Sequence, residues 1–370
     1  MKEIGLYIHI PFCKQKCYYC DFCSYANKLE LQERYVNALI KELNHIKDKN
    51  IYKIKTIYIG GGTPSIIKPV LIQRILFEIR SLFVISEDAE ITIEINPGTV
   101  DKEKIDTYKI SGINRISIGL QSTNDKLLKE IGRIHNYNDF EIAYALINEA
   151  GFFYVNVDLM IGLPNQTLND VKETIKKIVL KNPTHISVYS LIVEPETTMQ
   201  MLINSNKLEL PDEDLERAMY WSVKELLERS GYIQYEISNF APEGNECKHN
   251  ILYWTQENVI ALGAAAVGYI DGVRYKNPET LEKYFEAAKN NFPDEFIEYE
   301  ILTPHEKQIE LAILKLRTKW GIKKSELLPE VEAVLNSMPS DLFINTPEKI
   351  SLSKRGMRLG NSIWCELIDL

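Results

Sequence analysis

No stretch of this 370-residue chain is apolar for long enough to cross a bilayer. The N-terminus, Met1-Lys2-Glu3-Ile4-Gly5-Leu6, runs straight into an alternating pattern and lacks the apolar core of a signal peptide. A cytoplasmic location follows as the expectation, with membrane association at most peripheral. Positive charge is in short supply: 43 Lys and Arg face 52 Asp and Glu, a formal net charge of −9. Phosphate backbones are held by clustered cations, so no nucleic-acid partner is expected. The short basic runs Lys14–Lys16 and Lys315–Lys319 read as solvated faces. Cysteine is scarce and unevenly spread. Of six, four lie between Cys13 and Cys23, while Cys247 and Cys365 are isolated. In a reducing compartment a tight cysteine cluster reads as metal binding before it reads as disulfides.

What is present is a repeating α/β pattern. β-rich runs at 5–10, 56–60, 90–95, 115–119, 154–160 and 185–189 alternate with amphipathic segments at 31–47, 69–83, 101–109, 139–149 and 168–179. Repeated βα units imply a parallel sheet with ligands at the C-terminal strand ends. Six units are fewer than the eight of a closed barrel, so the expected fold is a partial (β/α)6 barrel. Segment 212–229 reads as one more helix. Beyond about residue 303 the pattern turns mainly helical, a small terminal domain that a wing could complete. The expected division is a barrel over 1–235, a linking region over 236–300 and a C-terminal domain over 301–370.

Cys13-Lys14-Gln15-Lys16-Cys17-Tyr18-Tyr19-Cys20 spells CxxxCxxC directly after the first strand. Three thiolates on so short a loop can ligate three irons of a 4Fe–4S cluster and leave the fourth open. An open iron can chelate the amino and carboxylate groups of S-adenosylmethionine (SAM) and pass one electron into its sulfonium, giving a 5′-deoxyadenosyl radical. Two alternatives stand beside this. A structural zinc site wants four ligands, usually in two separated pairs, and Cys23 as a fourth cluster ligand would close the cluster for simple electron transfer.

The segment Tyr7-Ile8-His9-Ile10-Pro11-Phe12-Cys13, with Cys17 and Cys20, resembles the start of the oxygen-independent coproporphyrinogen III oxidase family. Gly60-Gly61-Gly62-Thr63-Pro64, Glu94-Ile95-Asn96-Pro97-Gly98, Ser117–Ser122, Gly132-Arg133-Ile134-His135 and Asp158–Pro164 follow in that family's order. Leu316-Arg317-Thr318-Lys319-Trp320-Gly321 is similar to the family's C-terminal domain. The resemblance implies a radical SAM fold and SAM contacts from Tyr7, Gly61, Gly62, Thr63, Glu94, Gln121, Arg133 and Asp158, with Tyr19 also lining the site. Glycines at a strand end let a ligand approach backbone N–H groups, so Gly60–Gly62 are candidates to clamp the methionine part of SAM; a tight turn is the plainer reading. Glu94 and Asp158 could accept from an ammonium or ribose hydroxyls, or serve as a helix cap or surface ion pair. Gln121 and Arg133 are polar contacts at the barrel mouth or solvated surface. Phe12 is expected to pack behind the loop and His9 to support it.

The decarboxylases of this family carry a fourth cysteine two residues after the third, where this chain has Phe22, as in the related HemW-type haem chaperone branch. His249-Asn250-Ile251-Leu252-Tyr253-Trp254 resembles that branch's HNxxYW signature, which implies haem bound through His249. The plainer alternative is a capped loop in which His249 and Asn250 satisfy backbone groups while Tyr253 and Trp254 pack. Covalent haem attachment is not indicated, since Cys-x-x-Cys-His is absent. Ala265 and Val267 stand where chaperone relatives usually carry glycine and histidine. The remaining histidines, His45, His185 and His305, have no ligand-like company, and Cys365 is expected to pack in an apolar terminal helix. The resemblance thus implies a haem chaperone with a 4Fe–4S cluster, SAM and haem, a flavodoxin or ferredoxin electron donor and a haem acceptor protein. Oxidative decarboxylation of coproporphyrinogen III to protoporphyrinogen is the alternative, and radical chemistry on another tetrapyrrole a third.

Overall fold

Six consecutive parallel strands separate their residues into two chemistries. In the computed structural model, which describes residues 1–370, these are β1 (Lys2–Ile10), β2 (Tyr52–Gly61), β3 (Val84–Ile95), β4 (Arg115–Gln121), β5 (Tyr154–Ile161) and β6 (His185–Ser190). Alternate side chains of a strand point to opposite faces. One face carries Ile4, Leu6, Ile8 and Ile10, then Ile57 and Ile59, Ile91 and Ile93, Ile116 and Ile118, Val155 and Val157, and Ile186 and Val188, all inside one core of 58 buried residues. The helices of the βα units supply the other half of that core through Tyr35, Leu39, Ile72, Ile75, Phe140, Ile147, Val171 and Ile175. Each fully buried aliphatic side chain there contributes about 1.5–3 kcal/mol. Capping sets where those helices begin. Asn136 starts Tyr137–Glu149 and Thr167 starts Leu168–Val179, each through a reciprocal capping box with the aspartate three residues on.

The expected partial barrel is therefore present, and it is larger than six strands. Val259–Leu262 pairs in parallel with the free side of β1, Gly5 lying opposite Val259. Val267–Ile270, Val273–Lys276 and Glu298–Ile301 extend that edge antiparallel, and Asn239–Ala241 with Ile233–Gln234 extend the other beyond β6, giving an open sheet of 12 strands. Residues 236–300, read from the sequence as a linking region, thus contribute strands to the sheet, and Leu281 and Tyr284 belong to its core. Runs of four residues are too short for alternation to reveal them.

The C-terminal residues build a second core of 12 buried residues, from Ile309 to Leu367. Helices Pro304–Leu316, Pro329–Ser337, Lys354–Arg358 and Gly360–Ile368 surround it, with a three-stranded antiparallel sheet of Ile322–Lys323, Lys349–Leu352 and Phe343–Asn345. Cys365 corrects its expectation. It is exposed, because Ile363, Trp364 and Leu367 form the buried stripe of that helix and Cys365 falls off it. No helix is long and apolar enough to cross a membrane.

Candidate functional site

The cysteine loop leaves the C-terminal end of β1 and is held from three sides. Tyr18 N–H donates to Ile131 O (3.0 Å), Gln15 Nε2 to Gly132 O (3.1 Å), and Met199 N–H to Tyr18 O (2.7 Å). Gly132 has φ +74°, and a Cβ there would lie 2.7 Å from the Tyr18 ring, so only glycine permits this docking. Cys13 is buried, and Cys17 and Cys20 are half-buried. Burial raises the Cys13 thiol and pushes that of Cys20 up to about 11, so loading iron on them releases protons. Arg133 Nη1 lies 3.5 Å from Cys17 Sγ, a fixed positive charge beside that sulfur. No three His, Cys, Asp or Glu side chains gather closely enough to share one metal ion. Cys23 is directed elsewhere: its Sγ donates to Glu279 O at 3.0 Å, with Tyr25 Oη 3.9 Å away. Phe22 is 63% exposed, and Phe12 is fully buried edge-on to Tyr35.

The glycine run ends β2 against this loop. Gly62 must lack a side chain, because a Cβ would meet Phe12 O at 2.8 Å and Cys13 Sγ at 3.0 Å. Cys13 Sγ also lies 3.5 Å from Thr63 Oγ1. The expected N–H clamp is corrected. Gly61 N–H donates to Glu94 Oε2 (3.1 Å), Gly62 N–H to Ile10 O (3.0 Å) and Thr63 N–H to Phe12 O (2.8 Å). These donors brace the cysteine loop and Glu94, and the glycines let His9, Phe12 and Cys13 pack directly against the run.

Around it stand the other expected contacts. Glu94 is half-buried, its Oε1 accepting from Tyr58 Oη at 2.8 Å, and desolvation pushes its carboxyl up to about 7. Arg133 Nη2 donates to Gly119 O (2.6 Å) and Asn96 Oδ1 (3.1 Å). A Cβ at Gly119 would lie 3.0 Å from Arg133 Nη2 and 3.1 Å from Gln121 Nε2, so the absent side chain leaves both polar groups room. Gln121 has φ +71°, a left-handed conformation that is strained for a side chain of this size. Its Oε1 and Arg133 Nε are buried without a protein partner. Asp158 accepts from Ser117 Oγ and Asn156 Nδ2, both at 2.8 Å, and burial raises its carboxyl. Tyr19 lies beside Arg133 and Cys17, and burial raises its phenol. Tyr7 Oη reaches His9 Nδ1 at 3.0 Å, and His9 Nε2 reaches Cys23 O at 2.8 Å, the supporting role expected of that histidine.

The HNxxYW segment lies at the opposite end of the barrel. It forms helix Lys248–Trp254, whose first N–H groups are capped by a distant carboxylate: Lys248 and His249 N–H donate to Glu90 at 3.1 and 3.0 Å. His249 is only 1% exposed. Its Nδ1 lies 2.7 Å from Thr56 Oγ1 and its Nε2 3.3 Å from Tyr253 Oη, while its ring stacks on Tyr58 at 5.1 Å. Burial lowers the imidazole to about 3, so it is neutral at pH 7. Both ring nitrogens are engaged by side-chain hydroxyls of a helix and a strand, not by the backbone groups of a capped loop. Trp254 packs under the Arg317 guanidinium, 5.0 Å away, joining this helix to the C-terminal domain. Ala265 has φ +59°, a conformation glycine adopts more readily, and Val267 is 42% exposed.

Between the two ends runs a polar lumen that sequence reading missed. Tyr58, Thr92, Arg115, Ser117, Asp158 and His185 are among the lining of a cavity of ≈ 20 Å³, room for a water molecule. His185 belongs to it through Asn156 Oδ1 (2.6 Å) and Tyr235 Oη (2.8 Å). Arg115 lies 3.5 Å from Glu90, and the Cys247 thiol, pushed up to about 12 by burial, donates to Glu90 at 3.4 Å. A wider depression of ≈ 450 Å³ beside Thr123, Asp170 and Lys177 holds none of the motif residues.

Comparison with known proteins matches this arrangement. The model of the radical SAM superfamily matches residues 7–178. "Heme chaperone HemW" of Bacillus subtilis is 36% identical over 97% of each chain, and that of Lactococcus lactis 35% identical over 98% of this chain and 97% of its own. The Escherichia coli protein of the same name is 40% identical over 73% of this chain and 71% of its own. Among solved structures, coproporphyrinogen III oxidase (HemN) from Escherichia coli, described as a radical SAM enzyme, superimposes with a TM-score of 0.85 at 22% identity, covering 99% of this chain and 90% of that one. At that identity the likeness speaks for the fold. Full-length similarity to curated relatives speaks for the family: the chain belongs to the HemW family of radical SAM proteins.

Proposed function

We propose that this chain is a haem chaperone: it binds haem and passes it to an acceptor protein, as the name of its curated relatives says of them. The observation that carries the reading is the HNxxYW helix, set into the barrel floor directly beneath the residues that surround the cysteine loop. In this reading Cys13, Cys17 and Cys20 hold a 4Fe–4S cluster. Tyr7, Tyr19, Gly61, Gly62, Thr63, Glu94, Gln121, Arg133 and Asp158 hold SAM. The buried, unpartnered Gln121 Oε1 and Arg133 Nε fit a polar ligand at that position, since such atoms are rarely left unsatisfied. When bound, the cluster and SAM would supply one-electron chemistry, fed by a flavodoxin or ferredoxin in the cytoplasm.

The protein's own residues do the rest. Glu94, charged above its raised range, receives an ammonium; Arg133 sets positive charge beside the sulfur ligands and holds Asn96; the glycines let the cysteine loop pack close against β2. His249 is the proposed ligand of the haem iron, through Nε2, once the imidazole has turned out of its buried seat and away from the Tyr253 hydroxyl. A neutral imidazole is the form that binds iron, and burial keeps it neutral. Coproporphyrinogen decarboxylation is disfavoured, because Phe22 occupies the position of the decarboxylases' fourth cysteine and Cys23 is directed to Glu279.

An anaerobic haem titration of the cluster-reconstituted protein, followed at the Soret band beside His249→Ala, tests the proposal. Saturable, stoichiometric binding that weakens in the variant is the expected result. Haem affinity that is unchanged in His249→Ala, or no specific binding at all, would overturn it.

A further inference from the structure

Tyr58 belongs to none of the sequence motifs, yet it touches both ends of the barrel interior. Its hydroxyl donates to Glu94 Oε1 at 2.8 Å while Gly61 N–H donates to Oε2 at 3.1 Å, so the carboxylate is pinned through both oxygens. Its ring stacks on His249, with centroids 5.1 Å apart and planes at 24°. Tyr7 stacks on it at 6.3 Å and 27°. Gly60 makes this possible, because a Cβ there would lie 2.9 Å from Tyr58 Cε1. A continuous chain therefore runs from the Thr56 hydroxyl through the His249 imidazole and the Tyr58 ring to the Glu94 carboxylate.

We infer that Tyr58 couples the two ligands of this protein with opposite sign: haem on His249 weakens SAM on Glu94. The inference rests on the proposed function, since it takes those two residues as the haem and SAM contacts. His249 cannot present Nε2 to an iron atom from where it lies, fully buried with Tyr253 on that nitrogen. Turning outward removes the flat surface on which Tyr58 rests. The Tyr58 ring then tilts, its hydroxyl leaves Glu94, and the carboxylate loses the orientation in which an ammonium meets it. Linkage makes the effect reciprocal, so SAM weakens haem by the same factor. SAM is thereby the signal that loosens haem from its carrier. Tyr58 is a positioning residue in this scheme and touches neither ligand's reacting atoms.

The test uses the full-length, cluster-reconstituted protein under anaerobic conditions. SAM affinity is measured by calorimetry with and without saturating haem, and haem affinity at the Soret band with and without SAM. The parent should show about a tenfold loss of either affinity when the other ligand is present, a factor ordinary for coupled sites. Tyr58→Phe keeps the ring and removes the hydroxyl. Its SAM affinity without haem should fall about tenfold, its haem affinity without SAM should stay at the parent value, and the mutual effect should shrink to under about twofold. His249→Ala should weaken SAM in the absence of any haem, a change that a pure haem ligand would not produce. His249→Phe, which restores a flat ring under Tyr58, should recover SAM affinity while haem binding stays lost. The spectrum of the reduced cluster with SAM, by electron paramagnetic resonance, provides a second readout that should move in Tyr58→Phe and return in His249→Phe. Haem binding with no mutual effect in the parent, or a Tyr58→Phe variant with parental SAM affinity, would overturn the inference and leave the chaperone reading standing. Absence of haem binding in the parent would overturn both.

Discussion

Glu42 and Gly263, 221 positions apart in the chain, are joined by a hydrogen bond of 2.9 Å from the Gly263 N–H to Glu42 Oε2. The same buried carboxyl accepts from Tyr284 Oη at 2.5 Å and Asn277 Nδ2 at 2.6 Å. It ties helix Gln32–His45 to the strands that follow the HNxxYW helix. Burial pushes it up to about 7 from an ordinary 4.5. A carboxyl raised in the folded state binds more protons there than when unfolded, so its contribution to stability is full below about 4.5 and is lost as pH rises through 7. Up to about 3 kcal/mol is expected to disappear across that window. Urea unfolding at several pH values should show this slope in the parent and a flatter one in Glu42→Gln.

Glu94 has the same raised carboxyl but a different readout. An ammonium pairs with its charged form, so SAM affinity should fall as pH drops below about 7, approaching tenfold per pH unit. Calorimetric titration across that range measures it. A Glu94→Gln variant should bind SAM weakly with no such pH dependence; a parent profile equally flat would remove Glu94 from the SAM site.

Gly62→Ala would drive a methyl group to within 3.0 Å of Cys13 Sγ and 2.8 Å of Phe12 O. Backbone cannot yield there without moving the cysteine loop. The variant is expected to lose about 1–3 kcal/mol of stability, as over-packed sites do, and to retain little iron after reconstitution. Iron analysis and the visible absorption of the cluster report the outcome.

Cys23→Ala separates cluster ligand from bystander. With its thiol on Glu279 O, removal should leave iron content and cluster absorption at parental values, while Cys13→Ala, Cys17→Ala or Cys20→Ala each abolish them. Loss of iron in Cys23→Ala would instead make it the fourth ligand.

Glu90 accepts from the Lys248 and His249 N–H groups and faces Arg115, which is only 2% exposed. Glu90→Ala strands a buried guanidinium and uncaps the HNxxYW helix, so a loss of about 3–5 kcal/mol in chemical denaturation is expected. Glu90→Leu combined with Arg115→Leu removes both charges together and should recover most of it.

The sequence made the six central strands legible, because Ile4, Leu6, Ile8 and their counterparts alternate over long runs, and it made the cysteine loop legible by spacing alone. The lumen stayed hidden. Thr56, Tyr58, Thr92, Ser117, Asn156 and Ser187 read in one dimension as solvent-facing partners of an amphipathic strand, yet in three dimensions they line the interior of the partial barrel. One signal was available: parallel strands with helices outside are usually apolar on both faces, so polar alternation in all six announces a lined chamber. His185 was passed over for the same reason, since its partners Asn156 and Tyr235 come from distant strands and loops. The glycine N–H groups were misjudged because their acceptors, Ile10, Phe12 and Glu94, become neighbours only when β1, β2 and β3 are side by side. His249 could not be seen as buried until helix Lys248–Trp254 was placed against β2.

That helix closes the floor of the barrel, with Leu252 packed so tightly on Gly5 that a methyl there would approach within 2.6 Å. The cysteine loop lies at the other end of the same interior, where β1 ends. A ligand seated beside that loop would leave past it, so trimming the exposed Phe22 to alanine is expected to quicken the departure of SAM more than it changes how tightly SAM is held.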